Sequence, residues 1–128
     1  MEREALITQI IDSAYKVHET FCPGYLENVY RNALVRELKL RGIQSQIEAP
    51  IPVRYRGEVI ADFRADIFVE NSVIVEVKAV KETIEIHESQ LVNYLKATGI
   101  EVGLLLNFGT EIFKPRRKYR DYRPKKII

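Results

Sequence analysis

The amino-acid sequence predicts an α/β domain in which helices flank a mixed β-sheet, in the order α-α-β-β-β-α-β. Three observations lead there. Apolar residues recur at three- and four-residue steps up to Leu38, alternate with polar ones between residues 46 and 80, and return to helical spacing before a short apolar run at 102–107.

Each element follows from local chemistry. Leu6, Ile7, Ile10, Ile11, Ala14 and Val17 form the apolar stripe of a first helix. Phe21-Cys22-Pro23-Gly24 ends it, because proline brings no N–H and glycine tolerates backbone angles that break a helix. Leu26, Val29, Tyr30, Ala33, Leu34 and Leu38 repeat the spacing in a second helix, with Gly42 as its C-terminal cap. Residues 46–55 and 58–69 read as strands joined around Arg56-Gly57, and 73–80 as a third strand beyond Glu70-Asn71-Ser72. A last helix spans Ile84 to Thr98 and stops at Gly99; Val102–Asn107 has the continuous apolar character of a buried strand.

A chain of 128 residues can bury one core, so a single domain over residues 1–113 is expected, followed by a basic tail at 114–128. With 46% hydrophobic and 30% charged residues the composition is that of a soluble globular protein. No stretch approaches the roughly 20 apolar residues of a membrane span. The charged start, Met1-Glu2-Arg3-Glu4, is unlike a secretory signal, and a lone Cys22 forms no intramolecular disulfide. Both features suit a cytoplasmic location.

Charge is unevenly spread. Residues 110–128 carry eight Lys or Arg against Glu111 and Asp121, a net +6, which leaves 12 basic and 16 acidic groups, net −4, in residues 1–109. Two readings fit such a tail: a solvated terminus, or a phosphate-seeking arm whose contacts release counterions from a nucleic acid. In the second, Lys114, Arg116, Arg117, Lys118 and Arg120 contact phosphates, Tyr119 and Tyr122 stack on bases, and Arg64 and Lys81 add contacts near the sheet edge.

The charges at the centre of the chain point to chemistry. On residues 59–69 the odd positions are all apolar and the even ones include Asp62, Arg64 and Asp66; on 73–79 Glu76 and Lys78 share the even face. One face is then core and the other polar. With a hairpin loop at 70–72, Asp66 lies opposite Glu76, with Cβ atoms about 4.5–5.5 Å apart. Two such charges repel by about 4 kcal/mol at an effective dielectric of 20. A hard divalent cation offsets that directly, choosing carboxylate and water oxygens, and Lys78 would orient or activate water beside it. The alternative is a salt bridge from Lys78 to Asp66 or Glu76 on a solvated sheet face.

Asp66 followed by Glu76-Val77-Lys78 resembles the PD-(D/E)XK nuclease superfamily, with Ala65 where the motif name has proline. Gly24-Tyr25-Leu26-Glu27-Asn28-Val29-Tyr30 is similar to the signature of the GxxExxY proteins of that superfamily, as is Asn107-Phe108-Gly109; the resemblance spans roughly residues 3–115. It implies a restriction-endonuclease-like core and a Mg²⁺- or Mn²⁺-dependent hydrolase of phosphodiester bonds. In that scheme Asp66, Glu76 and the Val77 carbonyl hold the ion, Glu27 binds a second ion or its waters, and Lys78 positions the attacking water. Gln90 and Tyr94, four apart on the next helix, resemble a supporting pair that borders the metal and the strand; His87 reads as a helix-start residue. The implied partner is nucleic acid, DNA ahead of RNA, and a homodimer would let two copies address both strands of a duplex. The alternative function is a non-catalytic nucleic-acid-binding or adaptor protein that retains the fold.

Overall fold

The computed structural model describes residues 1–82 and 85–121. Helices α1 (Arg3–Phe21) and α2 (Glu27–Leu40) form where the two apolar stripes predict them, and they bury Leu6, Ile7, Ile10, Ala14 and Val17 against Tyr30, Leu34 and Leu38. Between them the chain reverses through Cys22, at φ 54°, and Gly24, at φ 132°. The Tyr30 hydroxyl holds this turn by donating to the Cys22 carbonyl at 2.5 Å and accepting from the Tyr25 amide at 3.1 Å.

Five strands complete the fold: β1 (Ser45–Tyr55), β2 (Glu58–Val69), β3 (Val73–Lys78), β4 (Val102–Asn107) and β5 (Arg116–Tyr119), with α3 (Glu85–Thr98) between β3 and β4. They form one sheet in sequence order. The β1–β2 and β2–β3 pairs are antiparallel, β3 and β4 are parallel, and β4–β5 is antiparallel again. A parallel neighbour needs a crossover, which α3 supplies.

The sheet is covered on both sides, unlike the one-sided core that alternation suggests. Ile67, Val69, Val73, Val75, Val77, Val102, Leu104 and Leu106 pack on α1 and α2, while Ile74 and Leu105 pack on Leu91, Tyr94 and Leu95 of α3. Ala65 also belongs to the α3 side, so two odd positions of β2, Ala65 and Ile67, fall in different cores. Further out, Val59 and Phe63 are exposed, which places part of the alternating strand in a hairpin arm rather than in a core.

The basic segment also departs from expectation. Instead of leaving the domain at Lys114, the chain adds β5 along β4, pairing Arg116 with Leu105 and Tyr119 with Val102. A fully buried β4 would otherwise present an unpaired edge, and a short, charged strand covers it without inviting further pairing. Neighbouring acids balance the strand: Arg116 and Lys118 pair with Glu88 of α3 at 3.0 and 3.2 Å, and Arg117 with Glu4 of α1 at 3.1 Å. Tyr122, Arg123, Lys125 and Lys126 of the expected tail, and the predicted helix start at Ile84, lie outside the described residues.

Candidate active site

The β2–β3 hairpin has the expected register: Val69 pairs with Val73, Phe68 with Ile74 and Ile67 with Val75. Backbone pairing stops at the next rung, where Asp66 and Glu76 stand. There the side chains replace the ladder. The Asp66 amide donates to Glu76 Oε2 at 2.8 Å, and the Val77 amide donates to Asp66 Oδ2 at 2.7 Å. Each carboxylate therefore crosses to the other strand and is fixed by a charge-assisted hydrogen bond.

Strand β1 is distorted at the same level. Ile47 pairs with Ile67 and Ala49 with Ala65, but Glu48, between them, takes a left-handed backbone with φ 52°. That conformation costs a non-glycine residue on the order of 1–2 kcal/mol, and such outliers gather where structure serves a site. The break runs through Glu48, Asp66 and Glu76, and at this level β2 passes from the α3 core to the α1–α2 core.

Glu76 is only 4% exposed. Burial, and next the negative charge of Asp66, push its carboxyl up to about 8; the Asp66 amide and the Lys78 ammonium pull in the opposite direction. At neutral pH the pair is thus short of positive charge, which is the electrostatic condition that attracts a cation. Lys78, half-buried, forms no ion pair with either acid among the described residues. The alternative of a salt bridge on a solvated face therefore fails on both counts. The sheet face is covered, and the ammonium is not spent on the carboxylates.

Tyr94 borders the site. It is 6% exposed, and burial followed by the charges of Glu76 and Asp66 raises its phenol pKa. The Phe63 ring lies 5.7 Å from its own and links the hairpin arm to α3. Gln90, one turn earlier, is exposed, and His87 is half-buried. Glu27 opens α2 as its first residue and is exposed. Asp66 and Glu76 meet as a pair: among the described residues no group of three or more His, Cys, Asp or Glu is placed to hold a metal ion.

Beyond the carboxyl ends of β3 and β4 a cleft of about 390 Å³ opens, lined by Lys81, Asn107, Lys114 and Arg116 with Glu82 and Glu111. Among the described residues Lys81 and Lys114 make no ion pair, whereas Arg116 holds Glu88. Arg64 lies on the hairpin arm, where it reaches the Glu48 carbonyl at 3.4 Å, and Arg120 pairs with Asp121 at 3.9 Å and bonds the Gly99 carbonyl. The basic residues singled out in the sequence thus divide into some held by internal acids and some open to a ligand.

Two features carry no assigned role in the sequence. Asn107, 6% exposed, bonds the chain just after Lys78, and Phe108 stacks on Tyr30 at 4.9 Å with ring planes 6° apart. The stack joins the loop after β4 to the Gly24–Tyr30 turn. A polar residue closing an apolar run is the signal for Asn107; nothing local in the sequence announces the stack.

The chain and its fold have relatives. A family model of the PD-(D/E)XK nuclease superfamily matches residues 4–120. The chain belongs to that superfamily. A solved structure, the crystal structure of SSO0001, shares the fold with a TM-score of 0.57 at 20% identity, over 76% of this chain and 52% of that one. This chain therefore spans about half the length of that relative. Among curated proteins none matches.

Proposed function

We propose that this protein is a divalent-metal-dependent nuclease that hydrolyses phosphodiester bonds in nucleic acid, with Asp66, Glu76 and Lys78 at its centre. The observation that carries this is the hydrogen-bonded Asp66–Glu76 pair, buried at the break in the sheet, with an ammonium two residues on that neither acid consumes.

The donor set fits a hard cation. Two carboxylates, one of them holding its proton near neutrality for want of positive charge, match the oxygen preference of Mg²⁺ or Mn²⁺. Asp66, Glu76 and the Val77 carbonyl would hold the ion, with Glu27 at the start of α2 as the candidate outer acid. Bound there, the ion supplies Lewis-acid charge for the phosphate and lowers the pKa of water.

The chain's own residues do the rest. Asp66 and Glu76 are each fixed by a backbone amide through one carboxylate oxygen, which leaves the second oxygen of each outside those two bonds. Lys78 would orient a water molecule by hydrogen bonding and stabilise charge growing on the phosphate. Tyr94 walls the site on the α3 side and, with Phe63, limits water access. Lys81 and Lys114, which line the cleft, would hold backbone phosphates, contacts that position a strand without reading its sequence. The Gly24–Tyr30 and Asn107–Gly109 segments support placing the chain among the GxxExxY proteins.

Single-stranded, duplex and branched DNA and RNA, incubated with Mg²⁺, Mn²⁺ or a chelator, test this. The wild type should cleave at least one substrate only when metal is present, and Lys78→Ala should lose at least about 100-fold in kcat while keeping its metal affinity. Binding without cleavage in every condition would instead identify a nucleic-acid adaptor.

A further inference from the structure

The parallel β3–β4 ladder ends where Lys78 pairs with Asn107, and beyond that rung the pairing changes character. The Phe108 amide donates to the Lys78 carbonyl at 2.8 Å. Past that point the Asn107 carboxamide takes over from the backbone. Its Oδ1 accepts from the Val80 amide at 3.1 Å and from the Gly109 amide at 2.9 Å, and its Nδ2 donates to the Val80 carbonyl at 3.0 Å. A side-chain amide has the same donor and acceptor as a peptide unit, so Asn107 serves as an added rung that satisfies both polar groups of Val80.

Gly109 makes the closeness possible. A Cβ there would stand 2.3 Å from the Val80 carbonyl oxygen and 2.4 Å from its nitrogen, so a side chain at 109 would push the two segments apart. Phe108, between Asn107 and Gly109, is fully buried and stacks on Tyr30 and Phe113, which anchors the clasp to the α1–α2 layer. The backbone of Lys78 is thereby held at its own carbonyl and again two residues later. Without the clasp, the end of β3 would be an unpaired strand terminus with ordinary end fraying.

We propose that Asn107 is a positioning residue for Lys78: its carboxamide extends the ladder past the end of β3 and so aims the Lys78 ammonium at the Asp66–Glu76 pair. The inference rests on the nuclease reading for its kinetic consequence, but the aim of the lysine is a structural property and is measurable without turnover. Asn107 acts on Lys78 through the backbone of Val80, which its carboxamide holds on both sides.

The test uses the full chain with ¹³Cε-labelled lysine and follows the Lys78 resonance, assigned through Lys78→Arg, in the wild type, Asn107→Ala and Asn107→Ser. Both substitutions are neutral, so neither adds a charge that would move the line by itself. The expected result is a Lys78 resonance displaced in both variants toward the position of exposed lysines, with the resonances of lysines distant from residue 80 unmoved and Mn²⁺ affinity within about two-fold of wild type. On a cleaved substrate, kcat should fall about 10- to 100-fold with KM within about two-fold, as misplacement of a catalytic group by a fraction of an ångström to about 1 Å entails. An unmoved Lys78 line in a folded variant overturns the proposal, and if Asn107→Ala does not fold, Asn107→Ser decides by the same line. A wild type that never cleaves sinks the nuclease reading and leaves the resonance measurement to judge Asn107 on its own.

Discussion

Glu76 is the residue on which most of the electrostatics turns. In the folded chain it holds its proton up to about pH 8, against 4.5 for its ordinary value, because burial and Asp66 both disfavour its charge. Between those limits the folded state binds more protons than the unfolded one, so stability falls as pH rises. The stabilising difference is fully present below about 4.5 and lost as pH climbs through about 8. We expect metal-free wild type to lose denaturant midpoint steadily across that window and Glu76→Gln, which carries a neutral isostere, to show a flatter profile; parallel profiles would mean that Glu76 does not titrate as described. Asp66 and the Glu76-Val77-Lys78 triplet are legible in the sequence because a strand alternates its faces and a hairpin sets opposite partners by arithmetic. What alternation does not reveal is that the two carboxylates replace a rung of the backbone ladder, at the level where a third strand carries a distortion.

That distortion belongs to the level of elements. Glu48 sits in β1 with φ 52°, paired to Arg31 at 3.6 Å, and its level coincides with the Asp66–Glu76 rung. Pro50 and Pro52 interrupt the 11-residue strand further on, but no turn residue stands at Glu48 itself to mark the position. Relief of the left-handed strain favours Glu48→Gly by about 1 kcal/mol, which offsets an exposed ion pair worth about 0–1 kcal/mol, while Glu48→Val should cost about 1–2 kcal/mol. Denaturant melts of the two variants check the difference in sign: a glycine variant less stable than the valine variant would contradict the strained geometry. Helices α1 and α2 form directly from their apolar stripes, and β3 ends two residues earlier than its alternation predicts because the Asn107 side chain, rather than a strand partner, pairs with Val80. Strand β5 is hidden in the sequence for another reason. Its residues, Arg116-Arg117-Lys118-Tyr119, have no apolar face to read, and the strand forms because β4 needs an edge partner and Glu88 and Glu4 balance its charge.

At the scale of the whole molecule, the basic C-terminal region divides in two. Arg116, Arg117 and Lys118 are committed to internal acids and hold the last strand, whereas Arg123, Lys125 and Lys126 come after it in the sequence. If these last cations reach phosphates, removing residues 122–128 should reduce the slope of log K against log salt for duplex DNA by up to about 2–3, near one unit for each phosphate no longer neutralised. An unchanged slope would show that these residues do not reach phosphates. No helix among the described residues is long and apolar enough to cross a membrane. Central to the proposed chemistry, Asp66 and Glu76 together take a divalent cation in place of a proton. Calorimetric titration of Mn²⁺ at pH 7, repeated in buffers of different ionisation enthalpy, tests this most directly. We predict one site, release of about one proton for each ion bound, and loss of both in Glu76→Gln; binding that releases no proton, or that survives Glu76→Gln unchanged, would contradict it.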